Sequence, residues 1–319
     1  MTEFGLGFQS DKRPGDYARL AAAAEDAGFD VLSVFGDLMY QPPIFPLLEM
    51  ATATSTVRLG AACWNPYTQH PYEIAGQVAA LDLASGGRAY LGLARGSWLG
   101  DIGVDQPQPI TRLREAAGFI RALLAGEPYA GQQFRLEPGA RLNYRPERRA
   151  VPLLIGTWGI RAAALAGKIA DEVKIGGTAN PAMVGVMRDR IGSPGVRIVV
   201  GAVTVVDEDG DRARALARTE VAKYMAVVAE LDPTVDVPDD LVLAVKNRMA
   251  QGDEAGAGAL IPRDLLSLFA FAGTPEDVAE QAQALIDAGA GRVEFGTPHG
   301  LTNDHGVHLL GREVLPLLR

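Results

Sequence analysis

Short apolar runs alternate along this chain with longer amphipathic stretches. The short runs are rich in Val, Ile, Leu and Phe and read as strands over residues 4–8, 31–35, 57–62, 88–93, 153–156, 172–176, 196–206 and 292–296. Between them, Ala- and Leu-rich stretches predict helices over 14–27, 46–53, 72–85, 112–125, 160–170, 182–191 and 211–229. Strands that are nearly apolar throughout and alternate with helices are buried on both faces of a parallel sheet. Eight of them favour an α/β fold closed as a (β/α)8 TIM barrel, with an open doubly wound sheet as the alternative. Asp26-Ala27-Gly28 and Asp287-Ala288-Gly289 repeat one punctuation, in which glycine ends an apolar-faced helix and turns the chain into a strand. Two stretches exceed a minimal repeat. Residues 128–151 read as a small hairpin inserted before strand five. Residues 231–268, between helix seven and strand eight, hold Pro233, Pro238, acids and a Gly-rich run at 252–258 that a disordered linker would also explain.

Composition narrows the class. The 319 residues, 48% hydrophobic, are enough for a large core and are read as a single domain over 1–319. A net charge of −9 argues against nucleic acid or an anionic membrane as partner, so an anionic ligand needs a locally basic site. One cysteine allows no internal disulfide and suits a reducing cytoplasm. No apolar run approaches the ~20 residues of a membrane-spanning helix, and the N-terminus lacks the features of a signal peptide. A cytoplasmic protein acting on a small molecule is expected. Metal-binding H-E-x-x-H and C-x-x-C patterns, a Walker A loop, a G-x-G-x-x-G turn after the first strand and a serine elbow are all absent, so no metal site or nicotinamide fold is expected.

The densest signal is Leu59-Gly60-Ala61-Ala62-Cys63-Trp64-Asn65-Pro66-Tyr67-Thr68-Gln69-His70-Pro71, where a strand runs through small residues into a polar loop with two prolines. Small residues at a strand's end let a flat ligand or another backbone approach closely. With Leu83-Ala84-Ser85-Gly86-Gly87-Arg88 before strand four, this segment resembles the luciferase-like family of (β/α)8 flavin and deazaflavin enzymes, nearest its methylenetetrahydromethanopterin reductase branch. The resemblance implies a non-prolyl cis peptide at Ala62-Cys63, forming a bulge behind a cofactor ring. It also implies extra helices and a mobile loop within 231–268, a homodimer, and coenzyme F420 as hydride carrier. FMN is the alternative cofactor, in a reduced-FMN monooxygenase; a non-catalytic flavin-binding relative is a further alternative.

Ligands of parallel barrels bind where the βα loops converge, at the C-terminal ends of the strands. Asp37 follows strand two and is the catalytic candidate, beside the ring by resemblance or else a turn aspartate. Leu38 stands where many relatives carry histidine, which leans the reading away from alcohol oxidation and toward C=C or C=N reduction. The resemblance carries cofactor contacts onto Asp37, Ala62, Cys63, Asn65, Ala94, Arg95 and Gly96. Arg95 would hold pyrimidine carbonyls or an acidic substrate, or make only a surface ion pair. After strand five, Thr157-Trp158-Gly159-Ile160-Arg161 opens a helix whose free N–H groups suit a phosphate, and the family holds its cofactor's phosphate-bearing chain there. Gly176, Gly177 and Thr178 at the end of strand six suit a phosphodiester or a ring edge. Cys63 is expected to pack behind the ring rather than attack, since no base adjoins it. His70 reads as structural, and His299 as a residue facing the mouth.

Register supplies one expectation that needs no resemblance. Lys174 and Glu294 interrupt the middles of strands six and eight, where charge is uncommon. Alternate barrel strands feed the same interior layer, so the two are expected to meet inside the barrel as an ion pair; the alternative is that each points outward against a helix.

Overall fold

A computed structural model describes residues 2–319. Its strands are β1 (Glu3–Phe8), β2 (Val31–Val34), β3 (Arg58–Ala61), β4 (Leu91–Ala94), β5 (Tyr129–Ala130), β6 (Arg135–Leu136), β7 (Leu153–Gly156), β8 (Glu172–Gly176), β9 (Arg197–Val206), β10 (Ala270–Gly273) and β11 (Arg292–Gly300). Parallel pairing runs β3-β2-β1-β11-β9-β8-β7-β4. Bridges Leu59–Ala89 and Trp64–Leu93 bring β3 back to the strand-four segment and all but close the ring. The fold is the expected eight-stranded parallel barrel, with β7, β8, β9 and β11 as its fifth to eighth strands. The insertion before β7 is the expected hairpin, β5 antiparallel to β6. Gly28 and Gly289 adopt matching φ angles of 90° and 94°, so the repeated Asp-Ala-Gly is one turn used twice.

The structure corrects the sequence reading in three places. Residues 252–258 are not a disordered linker: the helix Glu254–Ala259 occupies most of them, with Asp253 accepting from Gly256 N–H at its start. The helix expected over 211–229 is two, Gly210–Ala222 and Met225–Ala229. β10 was not foreseen, because its four residues follow directly on the helix Arg263–Phe269 and carry no turn signal between. Tertiary pairing makes it a strand. β8 pairs with Arg197–Gly201 of β9 and then diverges, and β10 takes up Val203–Val206, while β11 occupies the other edge.

Period-2 alternation divides the buried residues between two regions. One set, including Leu6, Leu32, Leu59, Leu93, Ile155 and Val293, points outward and packs against the helices in the main core. The barrel interior has only a small apolar cluster, Val31, Tyr90, Leu154 and Val199, with Cys63 packed above it. The rest of the interior is polar. Ser33, Lys174 and Glu294, from the second, sixth and eighth barrel strands, are joined to one another as members of one TIM-barrel layer, and the Tyr90 hydroxyl reaches Ser33 from the apolar cluster below.

Candidate active site

Glycines leave the interior room for long polar side chains. A Cβ at Gly60 would lie 2.6 Å from the Tyr90 ring, and one at Gly7 would lie 2.6 Å from Phe35 and 3.1 Å from Glu294 Oε1. In the space so left, Lys174 Nζ donates to Glu294 Oε1. Ser33 Oγ donates to Glu294 Oε2 at 2.7 Å and lies 2.7 Å from Tyr90 Oη, which reaches the Gly60 carbonyl at 3.0 Å. Burial pushes the Glu294 carboxyl up, but Lys174, Arg292 and the Ser33 hydroxyl outweigh it and hold the pKa below the usual value. Deeper in, the fully buried Arg292 faces Glu172 at 3.2 Å and Glu294 at 3.8 Å. Glu172 also binds Arg58 and Arg197, which both reach Glu3, so ion pairs fill the N-terminal end of the barrel.

Above this layer lie the residues expected to hold a cofactor. The Ala62-Cys63 peptide is cis, as expected. The Cys63 carbonyl lies 2.2 Å from where a Cβ on Gly36 would be, and its Sγ 2.9 Å from one on Gly156, so glycine is required at both contacts. Burial raises the Cys63 thiol to about 12, against the opposing pull of Lys174, so the sulfur stays protonated and packs rather than attacks. Asp37 stands open at the mouth and accepts from Gln9 Nε2 at 3.1 Å. The protein packed around its carboxyl raises its pKa, with Gln9 and Lys174 pulling the other way.

The loops after β3 and β4 form one unit. Asn65 Oδ1 accepts from the N–H groups of Tyr67 and Thr68 and from the Thr68 hydroxyl, fixing the turn. Gly96 packs against Asn65, and Gln106 Nε2 holds the carbonyls of Arg95 and Gly96 at 2.7 and 3.0 Å. Ala94 N–H donates to the Trp64 carbonyl across the closure. Arg95 is exposed and forms no ion pair among the described residues.

The loops after β7 and β8 form a second unit. Thr157 N–H donates to the Lys174 carbonyl at 3.0 Å, and Trp158 Nε1 to the Gly176 carbonyl at 3.2 Å. A Cβ on Gly176 would meet nothing within 4 Å, so β8 ends in open space. The helix Ile160–Ile169 begins at Gly159 with no side-chain cap, and Gly159, Ile160 and Arg161 are exposed. Its first N–H groups are free for an anion. Gly177 turns with φ 79° beside Val228 and Tyr224. Thr178 is not at the mouth: it is fully buried, with its hydroxyl donating to the Leu268 carbonyl and accepting from Asn180 N–H.

Two histidines resolve differently. His70 caps the helix Pro71–Ser85 through Nδ1 and packs edge-on against Phe119 and Phe134, the structural role expected of it. His299 does not face the mouth. It is 0% exposed, lies against Phe8 and bonds the Gly7 carbonyl at 3.1 Å through Nε2, and burial lowers its pKa to about 3. Ser33, Tyr90, Gln9 and Arg292 were not foreseen as part of the site. Ser33 carried the same signal as Lys174, a polar residue inside an apolar strand; Tyr90 carried none. Among the described residues one group could ligate a metal, Asp207, Glu208 and His305. Its histidine hydrogen-bonds to Glu208 at 2.9 Å, which accounts for the cluster without an ion.

The chain is similar along its whole length to known proteins. It is 31% identical to 5,10-methylenetetrahydromethanopterin reductase of Archaeoglobus fulgidus, over 99% of this chain and 100% of that protein. It is 28% identical to the F420-dependent glucose-6-phosphate dehydrogenase of Nakamurella multipartita, over 96% and 93% of the two chains. Its fold superposes on the coenzyme F420 dependent tetrahydromethanopterin reductase of Methanopyrus kandleri with a TM-score of 0.88 at 24% identity, covering 100% of this chain and 99% of the other. The luciferase-like monooxygenase family profile matches residues 2–292. With a matching profile over most of its length and a 31% identical relative covered end to end, the chain belongs to the luciferase-like monooxygenase family.

Proposed function

We propose that this protein is an oxidoreductase that uses coenzyme F420 to transfer a hydride to or from a small organic substrate, with C=C or C=N reduction favoured. The observation that carries the reading is the full-length similarity to a methylenetetrahydromethanopterin reductase, joined by an F420-dependent dehydrogenase. The site supports it with an open, glycine-ended β8 beside an uncapped helix N-terminus on one side and the Cys63 bulge on the other. In this reading Ala62, Cys63, Asn65, Ala94, Arg95 and Gly96 border the ring. Thr157, Trp158, Gly159, Ile160 and Arg161 hold the phosphate-bearing chain, with Gly176 and Gly177 along its path. When bound, F420 supplies a hydride carrier that reacts poorly with oxygen, and the protein orients it and excludes side reactions. Asp37 holds the proton exchanged with the substrate, since its carboxyl is open at the mouth and has a raised pKa. Leu38 offers no imidazole beside it, which disfavours an alcohol as substrate.

A homodimer fits the exposed Phe45, Tyr72 and Leu83 on the neighbouring helices Ile44–Ala53 and Pro71–Ser85. No helix is long and apolar enough to cross a membrane, in keeping with a cytoplasmic enzyme. Adding reduced F420 and reduced FMN separately tests the cofactor. Tight binding of F420 with no oxygen consumption is expected; tight binding of reduced FMN with oxygen transfer to an organic substrate, beyond the autoxidation of free reduced FMN, would replace this reading by a monooxygenase.

A further inference from the structure

The cation of the interior layer is Lys174 of β8. Such layers are ordinarily filled by branched apolar side chains, and burying a charge costs several kcal/mol in desolvation. Lys174 is the register partner of Gly156, the residue whose missing side chain admits the Cys63 sulfur. Its ammonium stands 5.0 Å from the centroid of the Phe35 ring, two residues before Asp37. Its side chain is 8% exposed and that of Glu294 1% exposed, and the ammonium is the end of the pair that lies against Phe35, just past β2.

The groups facing Lys174 are few. Glu294 lies beneath it from β11, itself backed by Ser33 of β2 and Arg292 of β11, with Tyr90 behind Ser33. Asp37 and Cys63, from the loops after β2 and β3, both feel its charge. Glu294 is held by two partners at once, so it fixes the ammonium rather than following it.

Resting on the F420 reading, we infer that Lys174 is a positioning residue, a cation fixed by Glu294 under the cofactor ring that stabilises the ring's anionic form. The 8-hydroxy-deazaflavin ring carries an acidic hydroxyl conjugated with its pyrimidine carbonyls, and loss of that proton spreads negative charge across the ring. A held cation in a site shielded from water favours that form without reorganising.

The test is a spectroscopic pH titration of the ring hydroxyl in oxidised F420 bound to the protein, with no turnover involved. The variants are Lys174→Arg, Lys174→Gln and the double Lys174→Met, Glu294→Leu, which leaves no unpaired charge and keeps the side-chain volumes close. The midpoint is expected to rise by at least about 0.5 pH unit in the double variant and in Lys174→Gln, about threefold in the ionisation constant. It should stay near the wild-type value in Lys174→Arg. Equal midpoints in the wild type and the neutral variants overturn the inference, as does a Lys174→Arg midpoint displaced as far as theirs. Failure of the wild-type protein to bind oxidised F420 in titration calorimetry overturns the cofactor reading instead.

Discussion

Lys174 and Glu294, 120 residues apart in sequence, form an ion pair inside the barrel, bridging its sixth and eighth strands. Both are buried, and the pair joins β2 and the strand-four segment through Ser33 and Tyr90. Four strands that make no direct pairing with one another are thus tied through one hydrogen-bonded group.

Removing one partner strands the other charge in the interior. Lys174→Met and Glu294→Leu are each expected to cost about 3–5 kcal/mol of stability. The double variant should cost less than the sum, with a coupling of about 1–3 kcal/mol in denaturant unfolding. Additive losses would show that the two charges act separately.

Asp37→Asn should lower kcat by about a hundredfold or more if the carboxyl handles the substrate's proton. In the reducing direction the wild type needs the protonated acid, so kcat should fall as pH rises through the raised Asp37 pKa. The variant should lose that limb of the profile. Unchanged kcat and pH dependence would leave Asp37 as a turn residue held by Gln9.

The uncapped start of the helix Ile160–Ile169 has Arg161 as its exposed cation. Arg161→Ala is expected to weaken F420 about three- to tenfold, the scale of an exposed charge contact, and to leave affinity for a ring analogue without the phosphate chain unchanged. Titration calorimetry with both ligands measures the difference. Equal loss for both would move the phosphate away from this helix.

His299 contributes to the pH dependence of folding. Unfolded, it takes up a proton near its ordinary pKa of 6.5; folded, it does so only at about 3. The unfolded state therefore binds the extra proton between these values. The contribution of His299 is complete above about pH 6.5 and is lost as pH falls toward 3, by up to ~1.4 kcal/mol per pH unit. A His299→Gln variant should show a flatter loss of stability over that window in urea unfolding at a series of pH values.

The sequence by itself determined the barrel, because its main signals are local. Apolar runs of strand length, Asp-Ala-Gly helix ends and the Leu59–Pro71 loop each act within a few residues, and the backbone at Ala62-Cys63 takes the form expected of it. Even Lys174 and Glu294 were legible, since a charge inside an apolar strand has few places to go and the barrel's layering names its partner. Tertiary structure alone decided the rest. β10 is a strand only because β8 leaves an edge of β9 unpaired beyond Gly201. Tyr90 reaches the polar layer only because Gly60, thirty residues earlier, vacates the volume its ring fills. His299 turns inward to the Gly7 carbonyl, and Thr178 donates its hydroxyl to the Leu268 carbonyl, contacts made by residues remote in the chain. Which way a side chain faces at a strand's end depends on what space the neighbouring strands leave open, and no local pattern carries that.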